Sequence, residues 1–181
     1  MSPRYDVPKA APEPLRLVQQ FVNSVDREHA REWIGTPNEL RDWLVERDLP
    51  ANGLTERDVG RAHELRESLR RLLVSNNERT VDHEAIDAVN RAIERSRLRP
   101  ELTPEGPRLL SSAGGVDAAL GRILAVALDA MREGTWPRLK ACRQCRWSFY
   151  DYSRNRSATW CSMSICGNRL KTRAYRRRRQ S

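Results

Sequence analysis

The sequence lacks any long hydrophobic run, and this absence limits where the protein can act. None of its 181 residues lies in an apolar stretch of about 18, so the sequence predicts no membrane-spanning helix. The first residues, MSPRYDVPKAAPEP, are rich in proline and lack the apolar core of a secretory signal. We therefore expect a cytoplasmic protein with no membrane partner, in which thiols stay reduced and disulfides are disfavoured.

The usual motifs of enzyme active sites are also missing. The sequence contains no Gly-rich phosphate loop, no nucleophile elbow and no metalloprotease helix. Its three histidines, His29, His63 and His83, fall in separate predicted helices and have no partner motif. We therefore expect a protein that is not an enzyme.

Acidic residues are scarce in one part of the chain only. Residues 138–181 contain 13 lysines and arginines against one acid, Asp151, which gives a net charge of +12. The other 137 residues carry 20 basic and 23 acidic residues, a net charge of −3. This asymmetry predicts a polyanionic partner for the C-terminal segment, with nucleic acid favoured over an anionic membrane. A basic tail that serves only solubility is the alternative.

The mildly acidic part has the periodicity of a helical domain. We expect residues 1–13 to be flexible and residues 14–137 to form the helical domain, with one short β-hairpin at the sequence TPEG. The first predicted helix follows Pro14, with an apolar stripe that reaches Val25. A second helix begins at Thr36, which forms a capping box with Glu39 and is followed by proline.

Three further helices are predicted in the same domain. One is capped by Thr55 and stops at the asparagines 76 and 77, which are residues typical of helix ends. Another covers VDHEAIDAVNRAIERS, and the last begins after two glycines and has the clearest amphipathic pattern, from Val116 to Met131. The sequence therefore predicts a mainly α protein whose helical domain precedes a small C-terminal module of residues 138–181.

Every cysteine lies in that module, at a spacing that suits a metal ion. Cys142 and Cys145 form a C-x2-C pair, fifteen residues separate Cys145 from Cys161, and four separate Cys161 from Cys166. Two such pairs can bring four thiolates around one zinc ion in a tetrahedron, with no open position for catalysis. Two disulfides, an iron–sulfur cluster and a rubredoxin-like iron are the alternatives.

The segment between the pairs predicts the shape of the module. RWSFY is expected to form a strand, DYSRNRS a turn and ATW a returning strand, and Ser162 is expected to cap a helix that contains Cys166. This is a treble-clef-like zinc finger, a hairpin plus a basic helix. So few aliphatic residues cannot fold the module alone, and one structural Zn²⁺ would supply the missing free energy.

Basic and amide side chains near the cysteines are the candidate DNA contacts. Arg154, Asn155 and Arg156 lie at the predicted hairpin tip, and the predicted helix adds Asn168, Arg169, Lys171, Arg173 and Arg176. Arginine and asparagine can each make paired hydrogen bonds to base edges in duplex DNA. As alternatives, Asn168 satisfies backbone groups near the metal, and Arg154 pairs with Asp151.

Cys166-Gly167-Asn168-Arg169 spells the signature of the CGNR zinc-finger family, and the sequence around it resembles that family throughout. LVQQFVNSVD, ELRDWL and AHELRESLRRLL resemble the ABATE domain that usually precedes this finger, so the resemblance covers about residues 15–180. It implies a bacterial regulator of transcription in the stress response, with a DNA-binding finger. Asn23, in the FVNS segment, is a candidate contact for a small effector, and a buried capping asparagine is the alternative.

Together these features predict a two-part transcription regulator. The helical domain is expected to sense a small-molecule effector or to form a homodimer, and the finger to dock its basic surface on double-stranded DNA. The protein would then associate with the nucleoid when bound to DNA. The alternative is an RNA-binding zinc module, in which aromatic side chains stack on bases.

Overall fold

The computed structural model describes residues 9–168, which form five α-helices and three two-stranded antiparallel sheets. The helices are α1 (Arg16–Val22), α2 (Pro37–Val45), α3 (Glu56–Glu78), α4 (His83–Arg95) and α5 (Gly115–Arg132). The strands pair in chain order as β1 (Val25–Asp26) with β2 (Arg31–Glu32), β3 (Leu98–Thr103) with β4 (Gly106–Ser111), and β5 (Leu139–Ala141) with β6 (Ser148–Tyr150). The predicted mainly α fold with short hairpins is confirmed.

The helix starts follow the capping signals of the sequence. The Thr36 hydroxyl accepts a hydrogen bond from the Glu39 amide at 3.3 Å, directly before α2. Thr55 and Asp58 form a capping box at the start of α3, where the Thr55 amide donates to the Asp58 carboxylate at 2.9 Å. Both starts are confirmed, because a cap depends only on residues three positions apart.

Two predicted helix ends are wrong. Helix α1 ends at Val22, and Val25 belongs to strand β1 instead of the helical stripe. Helix α3 continues through Asn76 and Asn77 to Glu78 and ends where Arg79 adopts a left-handed conformation with φ of 57°. The asparagine side chains do not stop the helix, because their amides donate to carbonyls in the C-terminal module.

One hydrophobic core joins the helices to the C-terminal hairpin. Phe21 of α1, Leu69 of α3 and Leu120 of α5 are fully or almost fully buried in it, and so are Leu139 and Ala141 of β5. Burying each large apolar side chain contributes about 1.5–3 kcal/mol. A second, smaller cluster surrounds the cysteines and contains Trp147 and Phe149. Strand β6 thus contributes to both clusters, with Tyr150 in the first and Phe149 in the second, and β5 lies in the first and leads directly into Cys142 of the second.

The hairpin of β3 and β4 has the predicted turn and projects from α5. Its base packs tightly, since a Cβ atom on Gly121 of α5 would lie 2.8 Å from the Cβ of Ser111. Farther out, Pro100 faces Leu109 and Leu102 faces Pro107 across the two strands. The Leu102 side chain at the outer end is 88% exposed.

Within residues 9–168, no helix combines the length and the apolar composition needed to cross a membrane. Residues 9–11, which belong to the segment expected to be flexible, lie against the C-terminal module. The Lys9 carbonyl accepts from the Tyr150 amide at 2.9 Å, and the Lys9 ammonium donates to the Trp160 carbonyl at 2.7 Å.

Candidate metal centre

The four cysteine sulfur atoms form one compact cluster. All of them lie within 4.8 Å of one another, and the Cys145–Cys161, Cys145–Cys166 and Cys161–Cys166 separations are 3.6, 3.6 and 3.7 Å. A tetrahedron of sulfurs at the usual Zn–S distance of about 2.3 Å has edges of about 3.8 Å, so the cluster fits a zinc ion. Each cysteine is free, and these distances are far longer than the ~2.05 Å of a disulfide.

The first pair of cysteines lies on the turn that connects β5 to β6. The Cys142 amide donates to the Trp147 carbonyl, and the Arg146 amide donates back to the Cys142 carbonyl, both at 2.9 Å. We call this turn, residues 142–147, the knuckle. Its residue Arg146 has a left-handed backbone conformation, with φ of 61°. The metal-binding turn is therefore also the hairpin turn, and β6 pairs with β5.

The expected returning strand at ATW is wrong, since residues 158–160 form no strand. The loop from 151 to 160 is instead held by Asp151, which accepts from the Lys140 ammonium at 2.8 Å and from the Ala158 amide at 2.9 Å. Burial alone would raise the pKa of Asp151, but the hydrogen bonds from Lys140 and Ser153 hold it below its usual value. Lys140, and not Arg154, therefore pairs with Asp151, so the alternative pairing given for Arg154 is wrong.

The second pair lies at the start of a helical turn. Ser162 caps a π-type turn over Met163–Gly167, and its carbonyl accepts from the Cys166 amide at 3.0 Å. Cys166 therefore lies in the first turn after the cap, as the sequence predicts. Gly167 is buried, and a Cβ atom there would lie 2.7 Å from the Met163 sulfur.

Thiols this close share their protons. Hydrogen bonds from Cys145 and Cys161 lower the pKa of Cys142, whereas the hydrogen bond with Cys142 raises the pKa of Cys145 to about 12. The pKa of Cys161 is raised by the same kind of contact with Cys142, and burial raises the pKa of Cys166. A divalent cation that binds all four sulfurs must therefore displace protons.

The predicted DNA contacts fall in two places. Arg154, Asn155 and Arg156 lie in an exposed turn, and their side chains make no hydrogen bond or ion pair with any residue from 9 to 168. We call these three residues the basic tip. Asn168 is exposed beside the cysteine cluster. Arg169, Lys171, Arg173 and Arg176 lie outside the described residues.

Asn23 lies at the end of α1 and is 4% exposed. Its amide nitrogen donates to the Ser148 carbonyl at 2.9 Å, and its amide oxygen accepts from the Ser148 backbone at 2.7 Å. Both ends of this side chain are thus engaged by strand β6. An effector would have to displace these bonds to reach the Asn23 amide.

Sequence reasoning missed the residues that join the helices to the cysteine module. Arg70, Asn76 and Asn77 of α3 all donate to carbonyls of residues 136–146. The signal was present, since Arg66, Arg70 and Asn77 are polar residues at helical spacing on the same helix as buried Leu69 and Leu73. Polar residues on an inward face indicate a polar partner.

The three histidines take part in no ligand cluster among residues 9–168, where the four cysteines are the one group of three or more potential metal ligands. His29 contacts Asp26 at 2.8 Å, and His63 contacts the Ile34 carbonyl at 3.0 Å.

Two family models match the chain. The ABATE model, described as "Putative stress-induced transcription regulator", matches residues 15–134, and the CGNR zinc finger model matches residues 138–179. No curated protein matches it. The finger match covers the whole sulfur cluster, so the cofactor is one zinc ion and not iron. Its role is structural, because four sulfur ligands leave no coordination position for water or substrate.

Proposed function

This chain belongs to the ABATE family and carries a CGNR zinc finger, and from that premise we propose a transcription regulator that binds duplex DNA through its finger. The finger spans residues 138–181, and the zinc ligands are Cys142, Cys145, Cys161 and Cys166. Residues 14–137 form the regulatory body. The proposal includes no catalytic activity, in keeping with the regulatory and zinc-finger types of the two families.

The observation that carries the proposal is the net charge of +12 on residues 138–181, together with the exposed side chains of the basic tip. In the body, Arg66 contacts Glu32 at 2.7 Å, Arg61 contacts Asp117 at 2.9 Å, and Arg71 contacts Asp82 at 2.7 Å. The basic tip has no such partner among residues 9–168. Its positive charge is therefore available to an external polyanion, and DNA phosphates offer the densest array of negative charge.

Several cations of the finger are used inside the protein and are not part of the proposed DNA surface. Arg138 donates to the carbonyls of Asp151 and Ser153 at 2.9 and 3.0 Å, and Lys140 is buried beside Asp151. The Arg143 guanidinium donates to the Asn77 carbonyl at 3.1 Å. The proposed DNA contacts are the basic tip, Asn168 and four basic residues that lie outside the described part of the chain, Arg169, Lys171, Arg173 and Arg176.

Base stacking of single-stranded RNA on Trp147 and Phe149 is disfavoured by the burial of these two rings, and Tyr152, at 62% exposed, is the aromatic side chain that faces solvent most in the described part of the finger. Proteins that bind single strands stack bases on exposed aromatic rings. In this finger Trp147 is only 4% exposed and Phe149 only 1% exposed, because both pack around the cysteines. Their faces are not available for stacking, whereas the basic tip suits the phosphates and the major groove.

A salt titration of DNA affinity tests the proposal. For each phosphate neutralised, the logarithm of the binding constant should fall with the logarithm of salt concentration at a slope of about 0.9. The double variant Arg154→Ala/Arg156→Ala should lower that slope by roughly two, since each phosphate contact contributes about one. Arg71→Ala/Arg99→Ala, which removes two exposed arginines of the body, is the matched control. A slope near zero for the unmodified protein, or tighter binding to single-stranded RNA, would contradict the proposal.

The body is proposed to respond to an effector or to form a homodimer. An open cavity of about 670 Å³ lies between α3, the start of α4 and the knuckle. Arg70 and Arg146 line it, so an effector bound there would contact both the helical body and the finger. The apolar cleft between the β3–β4 hairpin and α5, about 370 Å³, supports dimerisation. We also propose that the protein acts in the cytoplasm and joins the nucleoid when bound to DNA.

A further inference from the structure

The knuckle of the zinc finger is held from outside by the helical body. Arg70 of α3 is 3% exposed and donates to the carbonyl of Arg146 at 2.9 Å, the residue that closes the knuckle. Its other terminal nitrogen donates to the Val22 carbonyl at the end of α1. A left-handed conformation at a residue other than glycine is costly, so an external hydrogen bond at Arg146 helps to maintain the turn.

Asn77 of α3 connects the two halves of the metal centre. Its amide nitrogen donates to the Ala141 carbonyl at 2.7 Å and to the Thr159 carbonyl at 3.1 Å. Ala141 directly precedes the first cysteine, and Thr159 lies two residues before Cys161. Asn77 therefore links the segments that carry the first and third ligands, in addition to the hydrogen bond from the Arg143 amide to the Thr159 carbonyl at 3.3 Å.

The geometry of Asn77 indicates that its amide acts as a donor. The residue is 6% exposed, and its side-chain oxygen has no hydrogen-bond partner among residues 9–168. Rotating the amide would bring that oxygen against two carbonyls and remove a donor from each, and the Thr159 carbonyl would keep only the Arg143 amide at 3.3 Å. Buried acceptors that lose their donors destabilise a structure more than the loss of an exposed hydrogen bond does.

Asn23 holds the finger in the same way from α1. Its two bonds to Ser148 occupy the edge of β6 that β5 leaves unpaired, and Gln19 adds a third bond to the Ser148 carbonyl at 3.1 Å. Ser148 is fully buried. The strand that leaves the knuckle is thus fixed on both edges.

We propose that the helical body is part of the zinc site, and that Asn23, Arg70 and Asn77 are positioning residues that hold both sulfur pairs ready for the metal. Residues that orient metal ligands through backbone or side-chain hydrogen bonds commonly change metal affinity by 10–100-fold when removed. Coupling of this kind is reciprocal, so bound zinc must also stabilise the end of α3. This inference concerns zinc and the body only, and it does not depend on DNA binding.

Zinc retention in the full-length protein tests the role of Asn77. Asn77→Asp and Asn77→Leu both remove the two donors, and the second does so without adding charge. Each should lower zinc affinity by roughly 10–100-fold in competition with a chromophoric chelator. The matched control is Asn90→Asp, a change on the exposed face of α4. Equal zinc affinity in the Asn77 variants and the Asn90 variant would overturn the proposal.

A second measurement needs no variant and holds even if the Asn77 variants fail to fold. Hydrogen exchange of the unmodified protein is compared before and after zinc is removed by the chelator. Amides at the end of α3, residues 70–78, should exchange faster without zinc, although they lie outside the finger. Faster exchange confined to residues 138–168 would overturn the proposal. Neither readout involves DNA, so a failure of DNA binding would leave both results interpretable.

Discussion

Two buried asparagine side chains perform a task that usually falls to a neighbouring β-strand. Asn23 offers one donor and one acceptor to a single residue of β6, which is the pattern of an antiparallel backbone pair. Asn77 offers donors alone, because it meets two carbonyls. A neutral amide can be buried at a far lower desolvation cost than a charged group. The residue type at each position therefore follows from the backbone groups it meets.

Removal of a single thiol from the cluster should abolish zinc binding. Cys145→Ser replaces a strong zinc ligand by a hydroxyl and leaves three sulfurs, so we expect the zinc content to fall from about one ion per chain to near zero. DNA binding should be lost with it, and elemental analysis with a mobility-shift assay measures both. Ser157→Ala, an exposed change in the same finger, should keep both properties. A Cys145→Ser protein that binds DNA without metal would contradict the proposed role of zinc.

At the scale of elements, the sequence predicted the features that depend on residues close together in the chain. It did not predict the features that depend on contacts between distant residues. The cysteine spacing, the Thr36 and Thr55 caps and the TPEG turn all act within a few residues. Asn77, in contrast, meets carbonyls 64 and 82 positions away, so its resemblance to a helix stop was misleading. The expected strand at ATW failed for the same reason, since β6 already pairs with β5 on one edge and meets Asn23 on the other.

The β3–β4 hairpin is the element best suited to self-association. Its register places Pro100, Leu102, Pro107 and Leu109 on one face, because directly opposed residues share a face of a hairpin. Only the base of that face is covered by α5, and Leu102 projects beside the apolar cleft. Asp129 and Arg132 on the rim pair with each other at 3.2 Å, and a second copy related by a two-fold axis could place its leucine in the apolar cleft beside them.

A charge at the end of the hairpin should therefore dissociate the proposed homodimer. Leu102→Glu removes an apolar contact of about 1.5–3 kcal/mol from each half of the interface, so the dimer dissociation constant should rise by more than about 100-fold. Analytical ultracentrifugation over a concentration series measures this. Val81→Glu, which charges a valine that is 68% exposed elsewhere, is the control. A dimer that tolerates Leu102→Glu as well as Val81→Glu would place the interface on another surface.

At the scale of the whole molecule, charge and packing divide the chain in different places. The net charge changes sign near residue 138, where the body ends in the sequence. The hydrophobic core crosses that boundary, since Leu139, Ala141 and Tyr150 pack with the helices. The body therefore fixes the orientation of the finger and of the basic surface that we propose binds DNA. A change in the body can reach the finger through this shared core.

Acid should release zinc and destabilise the two parts together. The pKa values of Cys145, Cys161 and Cys166 are raised, so these thiols hold protons at neutral pH and zinc must displace them. Zinc affinity therefore falls as the pH falls, by about tenfold per pH unit for each proton displaced. Because the core is shared, losing even about 3 kcal/mol of zinc stabilisation should lower the Tm of the helices by roughly 6–12 °C. Thermal melts followed by far-UV circular dichroism, with zinc release recorded in parallel from pH 7.5 to about 5, measure both effects. Helices that melt at an unchanged temperature after all zinc has left would mean that body and finger fold independently.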